Sequence, residues 1–238
     1  MLGKESNKSK QLKSFGDPVW EDLFHSRGWG KYPSEEAIRF VMYAKKKISQ
    51  NTLRALDLGC GKGAISWFLR KEGISEVVAL DGSPSGLDAI FEVANGFGIT
   101  NGIVKVLGDI TCPASFVGEG ERFDIIIDHY SLCSNNYTLV SEAFKNILSL
   151  LNPSGYFLTC WFGQKTTGFK TGELIDDHFT YIPSKGVLVD LGPVTFLTNI
   201  QIKHLLESAG FSVPFQESVF QYRGEDAVEK IISYACLS

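Results

Sequence analysis

Short apolar runs alternate with amphipathic segments through most of this chain of 238 residues. The runs are rich in Val, Ile and Leu, which is typical of strands that are covered on both faces. The segments between them place apolar residues three and four positions apart, as helices packed on a sheet do. The strands predicted in this way are RALDLG (54–59), EVVALD (76–81), IVKVLGD (103–109), FDIIIDHYS (123–131) and YFLTCWF (156–162).

Capping residues mark where two of the helices begin. Ser34, followed by two glutamates, is the predicted N-cap of a helix that ends in a run of lysines. Thr198 and Gln201 have the spacing of a capping box, which predicts the start of the last helix. Two later apolar runs, 212–222 and 229–238, have no helix between them, so we expect an antiparallel pair there. The alternation elsewhere predicts an α/β fold with a mostly parallel sheet and helices on both faces.

The pattern of apolar and polar positions also predicts an N-terminal tail and one domain that contains an insertion. Residues 34–238 are predicted as one domain, and within it residues 163–197 are rich in Gly and Thr without a sustained period, which indicates an insertion on the acceptor side of the site. Residues 1–33 are predicted as an N-terminal tail. Its aromatic residues are candidates for a lid over the site, with ordinary packing of an N-terminal helix as the alternative: Trp20, Trp29 and Tyr32.

The composition is that of an ordinary globular protein, with 44% hydrophobic and 21% charged residues. A net charge of −4 weighs against a nucleic-acid partner, because nucleic-acid-binding domains are usually basic. The polar N-terminus lacks the apolar core of a signal peptide, and no apolar run is long enough to span a membrane. We therefore expect a cytoplasmic protein without a membrane partner.

Neither the cysteines nor the acidic residues form a recognisable metal motif. Asp176, Asp177 and His178 are the most charged stretch of the insertion, but three adjacent side chains converge poorly on one ion, so the stretch is interpreted as a solvated loop. No metal site is predicted. The cysteines lack zinc-ligand spacing and are predicted to be reduced thiols: Cys60, Cys112, Cys133, Cys160 and Cys236.

A glycine-rich turn follows the first predicted strand, in LDLGCGKG (56–63). Gly59, Gly61 and Ala64 fit the dinucleotide-binding fingerprint loosely, but the turn is not a phosphate-binding P-loop. Asp57 decides against a pyrophosphate, since a carboxylate at the end of this strand would repel one. It suits a ligand that carries positive charge, and S-adenosylmethionine has an ammonium and a sulfonium group and no phosphate.

Two more aspartates follow the next two strands. Asp81 comes about 20 residues after the glycines, where both carboxylate oxygens can accept from a ribose diol. Asp109 can accept from an adenine amino group while Ile110 packs on the ring. Aspartates at three consecutive strand ends favour a nucleoside ligand more specifically than the glycines do.

The chain resembles the class I S-adenosylmethionine-dependent methyltransferases in a series of motifs: LDLGCGKG (56–63), VVALDGSP (77–84), VLGDI (106–110), FDIIIDHYS (123–131) and LNPSGYFLTC (151–160). The resemblance implies a Rossmann-like sheet of seven strands, one of them antiparallel, and S-adenosylmethionine as cofactor. The candidate donor-binding residues are Asp57, Gly59, Cys60, Gly61, Gly63, Asp81, Gly82, Ser83, Asp109, Ile110 and Asp128. The segment 19–41 also resembles the front of a bacterial branch that is similar to small-molecule and saccharide-pathway methyltransferases.

The acceptor side is expected after the fourth strand, where the candidates are Asp128, His129, Tyr130, Ser131, Cys133 and Asn135. His129 and Asp128 are the catalytic candidates. His129 is the better base because its ordinary pKa lies near neutrality, and a histidine held by hydrogen bonds at a strand end is the alternative. Asp128 is expected to shape the donor pocket more than to abstract a proton.

The favoured hypothesis is a methyltransferase whose partner is a small, polar methyl acceptor. The chain lacks the Asn/Asp-Pro-Pro-Tyr/Phe motif after the fourth strand, which weighs against planar nitrogens in nucleic-acid bases. The alternatives are a methyltransferase acting on a macromolecule, a non-catalytic S-adenosylmethionine-binding protein and a nicotinamide-dependent oxidoreductase, the last disfavoured by Asp57. Neither the acceptor nor the oligomeric state can be deduced from the sequence.

Overall fold

The computed structural model describes residues 18–26, 30–175 and 179–238. Its helices are α1 (Pro18–Ser26), α2 (Glu35–Lys47), α3 (Ala64–Lys71), α4 (Pro84–Gly96), α5 (Ala114–Val117), α6 (Tyr137–Leu150) and α7 (Asn199–Ala209). Its strands are β1 (Arg54–Leu58), β2 (Glu76–Asp81), β3 (Ile103–Leu107), β4 (Phe123–His129), β5 (Leu151–Phe162), β6 (Glu173–Leu174), β7 (Thr180–Ile182), β8 (Val194–Thr195), β9 (Phe211–Arg223) and β10 (Asp226–Leu237). None of the described helices is long and apolar enough to cross a membrane.

The central sheet has seven strands in the order β3-β2-β1-β4-β5-β10-β9. Strand β10 runs antiparallel to β5 and β9, and the other pairs in this sheet are parallel. The predicted sheet, mostly parallel with one antiparallel strand, is confirmed. Because β1 lies between β2 and β4, the strand order reverses at β1, and ligands of open α/β sheets bind at such a point.

Two hydrophobic clusters cover the two faces of the sheet. One contains Phe40 of α2, Leu69 of α3 and Ile90 of α4. The other contains Phe144 of α6 and Leu206 of α7. All of these side chains are fully buried, which confirms the prediction of helices on both faces.

The helix starts follow the capping residues. The Ser34 side chain accepts from the main-chain N of Ala37 at 3.2 Å. Thr198 and Gln201 form the reciprocal bonds of a capping box at the start of α7. Strand β5 differs from the prediction, since it begins at Leu151, directly after α6, and not at Tyr156.

The insertion has more regular structure than its composition indicated. Strands β6, β7 and β8 form a separate antiparallel sheet of three strands. Leu188, Val194 and Phe196 form its small core. The Thr195 hydroxyl donates to the main-chain O of Asn135 at 2.6 Å, so the insertion is tied to the loop that follows β4.

The glycine turn after β1 requires a residue without a side chain. Gly59 has a φ of +71°, and a Cβ atom there would lie 2.2 Å from Oγ of Ser131. The main-chain N of Gly59 donates to the O of Leu80 at 2.8 Å, which continues the contact with β2 beyond the end of β1. The turns after β1 and β4 therefore touch, and together they form the base of the site.

We predict that Gly59→Ala lowers the free energy of unfolding by about 2–3 kcal/mol, because it combines a left-handed backbone with a steric clash. Urea denaturation followed by circular dichroism measures the change. Gly96→Ala is the matched control, since no atom beyond its chain neighbours and the backbone of its own helix lies within 4 Å of the Cβ position there. Equal stability of the two variants would contradict the account of this turn.

Candidate active site

A cavity of about 370 Å³ lies at the carboxyl ends of β1, β2 and β4. The turns after these strands form its base, while α1 contributes Trp20 and Phe24 to the wall and the insertion contributes Leu191 and Val194. Its volume is in the range of small-molecule sites. The cavity is therefore a site at the sheet edge that is covered by the N-terminal segment and the insertion.

Asp57 lies near the end of β1 and is only 2% exposed. Its Oδ2 atom accepts from the Ser66 hydroxyl at 2.5 Å. Burial, and after it the nearby charge of Asp81, raises the pKa of Asp57 to about 7. A positively charged ligand group beside this carboxylate would stabilise its ionised form.

Asp81 ends β2 and holds the glycine turn from the other side. Its Oδ2 accepts from the main-chain N of Gly61 and its Oδ1 from the main-chain N of Ser83, each at 2.8 Å. Burial raises the pKa of this carboxyl group as well. A carboxylate has acceptor positions for more than two donors, so Asp81 can still bind ligand hydroxyls from its place in the cavity wall.

Not every predicted donor residue lines the cavity. Gly63, Asp109 and Asp128 lie outside the lining. Gly63 is the N-cap of α3, and Asp109 accepts from the main-chain N and the hydroxyl of Thr111, at 2.8 and 2.7 Å, within the turn after β3. The structure brings the remaining candidates together in the cavity wall: Asp57, Gly59, Cys60, Gly61, Asp81, Gly82, Ser83 and Ile110.

Asp128 is fully buried and organises the turn after β4. Its Oδ1 accepts from the main-chain N of Ser131 at 3.0 Å and of Leu132 at 2.9 Å. Its Oδ2 accepts from the Thr159 hydroxyl at 2.6 Å. Burial raises its pKa to about 6. Asp128 therefore shapes the site through the main chain of this turn, from a position behind the cavity wall.

His129 lines the cavity and has an unpaired ring nitrogen. Its Nε2 atom is buried without a hydrogen-bond partner among the described residues. Burial lowers its pKa to about 4, and the carboxylate of Glu36 opposes this shift only in part. The imidazole is therefore neutral at pH 7.

Tyr130 is the next cavity residue, and its φ of +60° is uncommon for a residue other than glycine. Its ring stacks on Phe162 with centroids 4.6 Å apart. Its hydroxyl is buried and has no partner within the described part of the chain. Burial raises its pKa well above the ordinary range, so the phenol is protonated.

Cys133 and Asn135 have structural roles. The Cys133 thiol donates to the main-chain O of Tyr130 at 3.2 Å, and burial raises its pKa well above the usual value, which leaves no thiolate. The Asn135 side chain donates to the main-chain O of Ser131 at 3.4 Å. Both residues support the turn that Asp128 organises.

A buried ion pair lies behind the histidine and the tyrosine. Lys230 of β10 donates to Glu36 of α2 at 2.7 Å, and Glu36 is 7% exposed. Burial alone would raise the pKa of Glu36, but the hydrogen bonds to Glu36 and the charge of Lys230 together outweigh burial and lower this pKa to about 2. The Lys230 ammonium lies 6.0 Å from the centroid of Tyr130. No local pattern in the sequence indicates this pair, because its members are 194 positions apart.

Helix α1 lies in the segment 1–33, for which a lid and the packing of an N-terminal helix were the two alternatives, and Trp20 and Phe24 have the spacing of one helical face. Glu21 accepts hydrogen bonds from the hydroxyls of Ser83 and Ser85 at the start of α4. The Phe24 ring is 3.0 Å from the position that a Cβ atom of Gly61 would take. Helix α1 therefore packs directly on the glycine turn and on the N-terminus of α4.

Trp29 and the stretch Asp176, Asp177 and His178 lie outside the described residues. Within 18–26, 30–175 and 179–238, no group of three His, Cys, Asp or Glu side chains is arranged to hold a metal ion.

Comparison with solved structures places the fold among known methyltransferases. The CcbJ methyltransferase from Streptomyces caelestis has a TM-score of 0.67 at 16% identity, over 95% of this chain and 98% of that one. A 1,6-didemethyltoxoflavin-N1-methyltransferase from Burkholderia thailandensis, solved with S-adenosylhomocysteine, has a TM-score of 0.62 at 18% identity, over 86% of this chain and 77% of that one. At these identities the likeness shows the fold.

Sequence comparison adds two findings. A stretch of 75 residues is 37% identical to the probable protein arginine N-methyltransferase 3 of Oryza sativa subsp. japonica, and it spans 31% of this chain but only 12% of that protein. A family model described as a methyltransferase domain matches residues 49–210, which is more than half of the chain and includes β1 to β5. The chain therefore belongs to this methyltransferase-domain family and is a class I methyltransferase that depends on S-adenosylmethionine.

Proposed function

We propose that the protein methylates a small, polar molecule, with the donor held at the ends of β1 and β2 and the acceptor held beside His129. The observation that carries the proposal is the pair of buried carboxylates, Asp57 and Asp81, on either side of a glycine turn in one cavity wall. This half of the cavity favours a cationic nucleoside over a phosphate-bearing one.

The residues present fit S-adenosylmethionine. Gly59 and Gly61 both line the cavity, so the main chain of the turn can lie against the amino-acid group of the donor. Asp57 would hold the ammonium group, Asp81 the ribose hydroxyls, and Ile110 the adenine face. S-adenosylmethionine supplies an electrophilic methyl group on a sulfonium centre when it is bound.

The acceptor half contains His129 as the proposed base. Methyl transfer is an in-line displacement, so holding the acceptor in the right position carries much of the rate. A neutral imidazole with an unpaired Nε2 can accept the acceptor's proton. Its pKa of about 4 makes it a weak base, which suffices when the proton becomes strongly acidic as the new bond to the methyl group forms.

The enclosure of the cavity supports a small acceptor. Helix α1 and the segment that leads into α2 contribute Trp20, Phe24 and Tyr32 to the wall, and we propose that this part acts as a lid that excludes water. Structure neighbours include enzymes whose names refer to small molecules or natural products, such as 1,6-didemethyltoxoflavin. The alternative function, methylation of a protein side chain, is favoured only by the short match to the rice protein.

Calorimetry should show micromolar binding of S-adenosylmethionine and no heat with NADH.

We predict that Asp81→Ala weakens donor binding by about tenfold or more, because hydrogen bonds to a charged group contribute about 1.5–3 kcal/mol. Asp88→Ala is the control, since that carboxylate is on α4 and is 84% exposed. Equal affinity of the Asp81 variant and the wild type would show that the ribose is held elsewhere.

Donor affinity should depend on pH through Asp57. This carboxyl group keeps its proton up to about pH 7, and a cationic ligand binds best to the ionised form, so affinity falls as the pH drops below 7. The limiting slope is about tenfold per pH unit for one linked proton. Calorimetry between pH 5.5 and 8 measures it, and Asp57→Asn should bind more weakly with a flatter profile. A steep profile in the variant would assign the dependence to another group.

His129→Ala should keep the donor affinity of the wild type and lose turnover by about a hundredfold or more, the usual contribution of a general base. The measurement needs an acceptor, which a mass-spectrometric methylation screen of a metabolite extract supplies. His204→Ala is the matched control, because His204 is exposed on α7. Full turnover by the His129 variant would remove the imidazole from the mechanism.

A further inference from the structure

Two residues that line the acceptor half of the cavity, the part beside the turn after β4, have buried polar atoms that nothing in the described chain satisfies. They are Nε2 of His129 and the hydroxyl of Tyr130, both buried, on rings whose centroids are 4.6 Å apart. An unsatisfied buried polar group costs about 1–3 kcal/mol, so such groups in a binding cavity point to partners on the ligand. Two adjacent atoms of this kind predict a ligand with at least one hydrogen-bond donor.

The same half of the cavity has no unpaired charge among the described residues. The neighbouring ions, Glu36 and Lys230, bind each other at 2.7 Å, and His129 is neutral at pH 7 because its pKa is about 4. The other described residues that line this half are uncharged, among them Ser34, Ser134, Asn135, Phe162, Leu191 and Val194. A charged acceptor would lose its hydration here without gaining a counter-ion, which is costly.

The wall beside these polar atoms is aromatic. The rings of Tyr130 and Phe162 stack at an interplanar angle of 22° and both line the cavity. The left-handed backbone of Tyr130 is a rare conformation, held here by the hydrogen bonds of Asp128 to the residues that follow. A strained conformation that places a side chain in a ligand cavity indicates a role in binding.

We propose that the methyl acceptor is an uncharged, planar, hydroxylated ring compound, a phenol or an enol, whose hydroxyl donates to Nε2 of His129 and whose second polar group pairs with the hydroxyl of Tyr130. This inference rests on the proposed function, since it takes the opposite half of the cavity as the donor site. Tyr130 then acts as a specificity residue, and the stacked pair of Tyr130 and Phe162 supports the ring.

The chemistry balances without a further reactant. The acceptor oxygen attacks the methyl carbon, the bond between that carbon and sulfur breaks, and its electron pair stays on sulfur. The hydroxyl proton passes to Nε2 of His129 and from there to solvent. The products are a methyl ether, S-adenosylhomocysteine and a proton. A protonated amine has no free electron pair for this attack, and the described acceptor wall offers no carboxylate to bind it.

The test compares matched ring compounds by ligand-observed NMR in the presence of saturating S-adenosylhomocysteine. The panel contains neutral hydroxyarenes, their methyl ethers, and the corresponding benzoates and benzylamines. We expect binding in the hydroxyarene series and at least tenfold weaker binding in the other three. A preference for the anionic or cationic series, or the absence of binding by every hydroxyarene, would overturn the inference.

Substitution of Tyr130 tests the proposed hydrogen bond between its hydroxyl and the methyl acceptor. Tyr130→Phe removes only the hydroxyl, and we expect about 3–10-fold weaker binding of the hydroxyarenes with unchanged affinity for S-adenosylhomocysteine, as befits one neutral hydrogen bond. Tyr222→Phe is the control, because Tyr222 is 75% exposed on β9. Equal effects of the two substitutions would exclude Tyr130 from recognition. Failure of S-adenosylhomocysteine itself to bind would instead overturn the proposed function, so the two failures are distinguishable.

Discussion

The site depends on one buried carboxylate that lies outside the cavity lining. Asp128 accepts three hydrogen bonds within the protein, from two main-chain N atoms of the turn after β4 and from Thr159 of β5. These bonds compensate the burial of a polar group and hold the turn in one conformation. That conformation directs His129 and Tyr130 into the cavity and brings Ser131 against Gly59. The hydroxyl of Ser131 donates to the main-chain O of Gly59 at 3.2 Å, so the two turns form one unit.

Electrostatics divide the cavity into two halves of different character. Beside the glycine turn, burial raises the pKa of Asp57 and of Asp81, and a positively charged ligand would stabilise the ionised form of each carboxylate. Beside β4, the ion pair of Glu36 and Lys230 cancels its own charge, and the histidine is neutral. A cationic donor and an uncharged acceptor would thus each find a matching environment, and the reacting groups would meet where the halves join.

The outer wall of the cavity comes from parts of the chain that are far apart in sequence. Helix α1 binds the start of α4 through Glu21 and covers the glycine turn with Phe24, and the insertion reaches the turn after β4 through Thr195. Each contact ties a covering element to one of the two turns that form the base. Movement of either covering element would therefore shift the residues proposed to hold donor and acceptor.

Local patterns in the sequence were sufficient to predict the parallel sheet, the helix starts at Ser34 and Thr198, and the position of Asp57, Asp81 and His129 at the ends of neighbouring strands. They were sufficient because strand periodicity, capping and the meeting of parallel strand ends at one edge are properties of short segments. Tertiary structure alone decided that Asp109 caps a turn, that Asp128 lies behind the wall, and that Glu36 meets Lys230. These outcomes depend on packing between distant segments, which sets the burial and partners of each side chain and which no local pattern encodes.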